Sequence, residues 1–405
     1  MIFRLDRLMA ALALAACANL AHAAGFALIE QNASGLGNAY AGQAAAATDA
    51  STIFFNPAGM THLPDRQLVL AGHLIKPKAE FSGSASLTIP GVNDGGNGGD
   101  AGGLAFVPNA YFAMRLNPDV HLGLGLNAPF GLKTEYDPTW AGSTHAVKSH
   151  LKTINLNPSV AWKASKTLSL GAGLNVAYAE AILTNQAGAA GQAKIQGDDI
   201  GWGFNLGALW QATPATRVGL AYRSEIDLTL EGSATFSGNP ALNGPVTADV
   251  TFPDSASLSI SHRVNDRWDV LADVTWTGWS DFDELRIVRA SGATLSVTQE
   301  NWGDSMRYSL GANYRYSDKW TLRGGVAYDK SPVPDAYRTA RIPDEDRLWM
   351  AFGAQYRLSP KMVLDFGYAH LFVKDASIDE GTTVRLTGNY DASVDILSAQ
   401  LTLNF

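Results

Sequence analysis

Leu168-Ser169-Leu170-Gly171-Ala172-Gly173-Leu174-Asn175-Val176-Ala177-Tyr178 changes character at every second residue. One face reads Leu168, Leu170, Ala172, Leu174, Val176, Tyr178; the other reads Ser169, Gly171, Gly173, Asn175, Ala177. Successive side chains of a strand point to opposite faces, so this is a strand with one apolar side and one small, polar side. The same alternation recurs from Trp268, Tyr308, Trp320 and Met362. A soluble two-sheet sandwich alternates too. Turn spacing and the placement of charge and aromatics decide between them.

Tight polar turns recur at Asn117-Pro118-Asp119, Ala164-Ser165-Lys166, Thr213-Pro214-Ala215, Asn265-Asp266, Ser317-Asp318 and Ser359-Pro360. Longer polar stretches fall between them, at 91–103, 131–150, 188–199, 331–344 and 375–389. Short turns at one end and long loops at the other are the asymmetry of a transmembrane barrel. Six short turns join twelve strands, and a first strand near 67–81 and a last one make fourteen. Both ends of the chain then lie on the short-turn side. Trp162, Trp210, Trp268, Tyr316, Trp320 and Tyr356 cluster beside the short turns and read as an interfacial girdle. Asp269, Asp273, Arg315, Arg323 and Asp365 all oppose the apolar faces. A charge facing lipid is costly, so the apolar faces point outward and these residues line the lumen.

Composition agrees. The chain has 405 residues, 46% hydrophobic and 17% charged, with 40 Gly and a formal charge of −8. Soluble chains carry about 25% charge. The acidic balance and the lack of a Lys/Arg run argue against a nucleic-acid partner. The longest apolar run, 8–18, is too short for a spanning helix, which needs about 20 residues.

Residues 1–23 read as a secretory leader: Arg4 and Arg7, the apolar run, then Ala21-His22-Ala23 as the cleavage site. A lipoprotein box at Leu14-Ala15-Ala16-Cys17, with Cys17 lipidated, is the competing reading. At the other end, Leu397, Ala399, Leu401, Leu403 and Phe405 alternate with Ser398, Gln400, Thr402 and Asn404. A terminal aromatic on such a strand resembles the signal read by the barrel assembly machinery, an expected partner through Phe405. Residues 24–64 do not read as strand. They are rich in Ala and carry only Glu30 and Asp49 as charges, so they are expected to be buried as a plug in the lumen, ahead of a barrel at 65–405.

Ala24-Gly25-Phe26, Ser34-Gly35-Leu36-Gly37-Asn38-Ala39-Tyr40-Ala41-Gly42 and Asn56-Pro57-Ala58-Gly59-Met60 resemble the N-terminal hatch of the FadL-type long-chain fatty acid transporters. The resemblance continues through Pro108-Asn109-Ala110-Tyr111, Gly123-Leu124-Gly125, 130–136, 153–159 and Trp276-Thr277-Gly278-Trp279-Ser280. It implies a monomeric fourteen-stranded barrel in the Gram-negative outer membrane, closed by the hatch, with both termini periplasmic. It implies passive uptake of a fatty acid or an aromatic hydrocarbon. Substrate would land on a groove by the third strand's outer loop (Phe130, Leu132) and enter an apolar pocket (Phe26). A shift of the N-terminus would then release it laterally, into outer-membrane lipid, at a third-strand kink that Asn56, Pro57 and Ala58 contact. Independently, Gly123 and Gly125 weaken that strand and Pro129 removes a ladder donor, although a tight barrel corner would use the same residues.

No catalytic constellation stands out, and no enzyme is expected. Asp137, Ser143, His145, Ser149 and His150 share one loop and would suit a barrel lipase or esterase, but loop polar groups without a positioned base read as solvated. The eight histidines lack metal-ligand spacing, so no metal or cofactor is expected. Gly35-x-Gly37 follows no strand and is not a phosphate loop. Arg307 is either a contact for a fatty-acid carboxylate or an ordinary lumen cation. An open aqueous porin is disfavoured by the small, nearly uncharged plug.

Overall fold

The computed structural model describes residues 25–87 and 95–405; the expected leader, Cys17 included, lies outside them. The barrel is a closed antiparallel sheet of fourteen strands. The first strand, Arg66–Leu87, pairs along its length with the last, Val384–Asn404, in a register from Gln67↔Asn404 to Leu87↔Val384. Phe405 N–H donates to Arg66 O, so the C-terminus sits beside the start of the barrel at the short-turn end.

The six short turns form where Asn, Ser and Thr stand. Asn117 and Asn265 accept two backbone N–H groups each through Oδ1, and Ser165 and Ser317 do so through Oγ. Such side chains replace a missing backbone partner and fix the bend. Outward residues are exposed and inward ones buried on the alternating strands: Leu310 and Val326 face out, whereas Ser309, Arg323 and Asp365 are enclosed. Four of the five expected lumen charges pair across strands, while Asp273 accepts from the Ser259 and Thr275 hydroxyls. Arg315 grips both oxygens of Asp269, and Arg323 meets Asp365 at 2.5 Å.

The short-turn girdle is present, with Trp162 and Trp210 each about half exposed. A second belt, not anticipated, marks the other interface. Tyr222, Trp276, Tyr328 and Tyr368 donate to Asp254, Asp304, Asp346 and Asp395. Trp268 and Trp276 lie eight residues apart on one strand, roughly 26 Å of chain. With strands tilted about 40° from the barrel axis, that length spans about 20 Å of height, which fits within the apolar band of an outer-membrane barrel, about 25 Å tall. Above this belt strands seven to ten are interrupted: Thr216–Arg223 resumes as Ile226–Phe236, and Trp268–Thr277 as Glu284–Arg289.

Residues 25–64 fill the lumen as short helices, Ala33–Leu36, Gln43–Ala46 and Thr52–Phe55, and a 3-10 turn, Pro57–His62. Asp49 has no cation partner among the described residues: Ser34 and Ser51 hydroxyls, Ser51 N–H and the Gln400 amide all donate to it. Gln400 Oε1 accepts from Ala33 N–H at 3.0 Å, tying plug to wall. Lumen glycines let the plug's backbone approach. A Cβ at Gly325 would overlap the Asn38 carbonyl, and one at Gly171 the Ala58 amide. Gly324, one residue from Gly325, has open space around it.

Overpacking costs about 1–3 kcal/mol, and here it falls on the plug rather than on the wall. Gly325→Val and Gly171→Val are therefore expected to raise ion conductance in planar bilayers well above the parent level. Gly324→Val should leave conductance unchanged.

Candidate functional site: a breach closed by the plug

The third strand runs Val120–Asn127, stops, and resumes as Gly131–Glu135. Residues 128–130 leave the ladder, and Pro129 stands in the gap. On the neighbouring second strand, Ala105–Arg115, only residues 110–115 pair with the third. The wall is thus open beside residues 105–109 and 128–130.

Plug backbone closes it. Leu28 N–H donates to Pro129 O at 2.8 Å and Gly131 N–H to Phe26 O at 2.8 Å, with Ala27 opposite Phe130 as in an antiparallel pair. Gln31 Nε2 donates to Ala128 O, and Asn109 Nδ2 to Glu30 O. Residues 26–31 therefore serve as a short non-covalent strand in the breach.

This arrangement differs from the expected one in three respects. Asn56-Pro57-Ala58 is not the segment at the break. Asn56 Nδ2 donates to Ala44 O and Ala208 O, and its side chain fills the space left by Gly207 on the sixth strand. A buried amide needs both donors satisfied, and those carbonyls are there. Gly123 and Gly125 do not form the kink either; both are paired on each side, and the room at Gly123 is taken by Met60 and Ile53. Phe130 and Leu132 line two separate cavities inside the barrel, Phe130 the inner and Leu132 the outer, rather than one exposed groove. Both are buried, because the resumed strand turns them inward.

Phe26 sits in an aromatic cluster with Trp279 at 4.6 Å, Trp302 at 5.7 Å, Phe282 at 5.8 Å, Phe252 at 6.0 Å and Phe130 at 6.1 Å between centroids. The cluster separates two cavities. The outer one, about 90 Å³, is lined by Phe26, Leu132, Leu228, Val250 and Ile287 among other apolar residues. The inner one, about 140 Å³, is bounded by Leu28, Phe54, Phe55, Pro129 and Phe130, with Arg307 and Asp329 on its wall. Arg307 donates from Nη2 to Ala39 O at 2.8 Å and lies over the Trp349 ring. Its Nε and Nη1 have no hydrogen-bond partner among the described residues. Ala39 and Tyr40 are both in the left-handed region (φ 51° and 56°), a strained turn for non-glycine residues. The loop that suggested a hydrolase does not assemble one: His145 faces Glu380 and Val384 O, and Ser149 accepts from Arg341.

Sequence reading reached Phe26 through the hatch motif, but not Leu28, Gln31, Phe252 or Trp302. Trp279 lay within a quoted motif without an assigned role.

Residues 14–405 match the family model described as outer membrane protein transport protein (OMPP1/FadL/TodX). The chain belongs to that family. It is 32% identical to the long-chain fatty acid transport protein of Escherichia coli O6:H1, over 92% of each chain. The crystal structure of a Pseudomonas aeruginosa FadL homologue superposes with a TM-score of 0.89 at 26% identity, over 94% of this chain and 100% of that one. The Ralstonia pickettii toluene transporter TbuX shares the fold at a TM-score of 0.69 and 23% identity, over 92% and 98%.

The aromatic cluster of this FadL-family barrel has a titratable support. Glu300, in the loop after Thr294–Gln299, accepts from Trp302 Nε1 at 3.0 Å, and burial pushes its pKa from 4.5 up to about 8. A raised carboxyl pKa means that the folded form keeps the proton. Its contribution is complete below about pH 4.5 and is lost as pH rises to about 8. Unfolding midpoints followed by tryptophan fluorescence are therefore expected to fall across that window. Glu300→Gln, which still accepts from Trp302, should flatten the dependence.

Proposed function

We propose that the chain is a passive outer-membrane channel for long-chain fatty acids, with lateral release through the breach in the third strand. The observation that carries this reading is the non-covalent closure of the breach by residues 26–31, directly beside an apolar cavity. A hydrocarbon avoids a return to water if it leaves sideways into lipid. Substrate enters the outer cavity, passes the aromatic cluster around Phe26, and reaches the inner cavity. Withdrawal of residues 26–31 then opens the wall at 128–130.

Arg307 supports an acid over a neutral ring as substrate. Arg307 stands on the wall of a cavity with an apolar side, Leu28, Phe54, Phe55 and Phe130, and a polar side that also holds Arg223, Asp273 and Asp329; a guanidinium there suits a carboxylate head on an apolar tail. A carboxylate there competes with Ala39 O for the guanidinium and loosens the strained turn of the plug. On this reading the short turns and both termini face the periplasm, the barrel works as a monomer, and the assembly machinery reads Phe405. The aromatic hydrocarbon reading is kept as an outcome of the uptake test. The chain is a transporter here, not an enzyme.

Ala27 and Phe130 form a non-hydrogen-bonded antiparallel pair, whose Cα atoms lie about 4.5 Å apart, within disulfide range. In Ala27→Cys/Phe130→Cys, oxidation should cut uptake of labelled oleate at least about tenfold, and reductant should restore it. Equal uptake in both redox states would eliminate the lateral route. Toluene accumulating in place of oleate would move the substrate to aromatic hydrocarbons, while Arg307→Met is expected to lower oleate uptake and leave toluene unaffected.

A further inference from the structure

Five of the six short turns carry one hexapeptide pattern: a cation, an apolar residue, Asn or Ser, two turn residues, and an apolar or aromatic residue. They start at Arg115, Lys163, Arg263, Arg315 and Arg357; the sixth starts at Gln211 and carries Thr213 in the third place. The first residue of all but the first turn is hydrogen-bonded to the hairpin before it, and Arg115 N–H donates instead to Asp65 O. Lys163, Gln211, Arg263, Arg315 and Arg357 donate their N–H groups to Asp119, Thr167, Ala215, Arg267 and Lys319 carbonyls at 2.7–2.9 Å. The first residues therefore stand side by side around the rim. The six hexapeptides hold nine Lys or Arg against three Asp, on a chain that totals −8.

Strand parity decides where that charge points. Arg315 and Arg263 lie on the lumen face, with Asp269 at 2.7 and 3.7 Å. The residues after them face the membrane side and are apolar: Leu116, Val264, Tyr316 and Leu358 are all largely exposed. At the same end a polar cavity of about 300 Å³ opens among His62, Gln211, Arg217, Arg263, Asp269 and Asn313. Lys163, Lys319, Arg357 and Lys361 have no carboxylate partner among the described residues. An anionic lipid headgroup beside the wall would meet these second residues, which are uncharged in all six turns. The cations ring the mouth instead.

We propose that the short-turn mouth is a docking surface for a protein or peptide that presents an acidic segment. Charge complementarity at such a rim sets encounter rate and partner choice, and the repeated cation in successive hairpins builds it from the strand register alone.

The test uses the purified full chain in phosphatidylcholine nanodiscs and fluorescein-labelled octaglutamate, read by anisotropy. Binding is expected, weakening as salt rises. Lys163→Glu/Lys319→Glu/Arg357→Glu should weaken it about tenfold or more. Lys194→Glu/Lys330→Glu/Lys374→Glu, at the long-loop end, should leave it unchanged. Heat-dependent gel migration checks that each variant forms the barrel, and Arg357→Gln alone, expected to weaken binding about twofold, replaces a triple variant that does not. No binding by the parent chain, or equal loss in both triple variants, overturns the proposal. So does binding to phosphatidylglycerol vesicles with none to the peptide, which would assign the cations to lipid.

Discussion

The backbone pairing of residues 26–31 with 128–131 is the interaction on which the rest depends. A barrel spans a membrane because every backbone polar group in its wall is paired. At 128–130 the wall withholds that pairing, and the plug supplies it through Leu28 N–H, Phe26 O and the Gln31 amide. The closure is therefore as strong as a few hydrogen bonds in a place without water, yet it belongs to a different segment of chain. A covalent strand could not be withdrawn; an empty gap could not be tolerated.

Everything else positions that segment. Lumen glycines admit the plug's backbone, and Asn56, Asp49 and Gln400 anchor its far end with hydrogen bonds rather than apolar packing alone. The anchored part, 32–62, and the closing part, 26–31, are held differently. The first is pinned to several strands; the second is held by the aromatic cluster, the breach, and the Gly25 N–H bond to Asp344. The aromatic cluster lines both cavities, Phe26 the outer and Phe130 the inner, and both residues lie in the backbone pairing that seals the wall.

The fold was legible because the barrel is a local code repeated. Each strand shows its faces by period two, each short turn shows itself by Asn, Ser, Thr or Pro, and the aromatic girdle repeats the same message at the strand ends. The site was less legible. Pro129 stands where the third strand breaks, whereas at Gly123 and Gly125, expected to weaken the same strand, the missing side chains make room for Met60 and Ile53. Asn56-Pro57-Ala58 was identifiable as a motif without its address, since a motif names a local turn and not the strand opposite it.

What the sequence determined by itself was therefore what depends on neighbours in the chain: strand faces, turn positions, the number of strands, and a plug too small and uncharged to be a solvated tail. Which plug residue meets which strand was decided only by the tertiary structure. Closing a sheet into a barrel brings Leu28 to Pro129, Asn56 to Gly207 and Gln400 to Asp49 across separations that no periodicity encodes. The wall repeats and can be read; the contacts inside it are made once each, and only shape selects them.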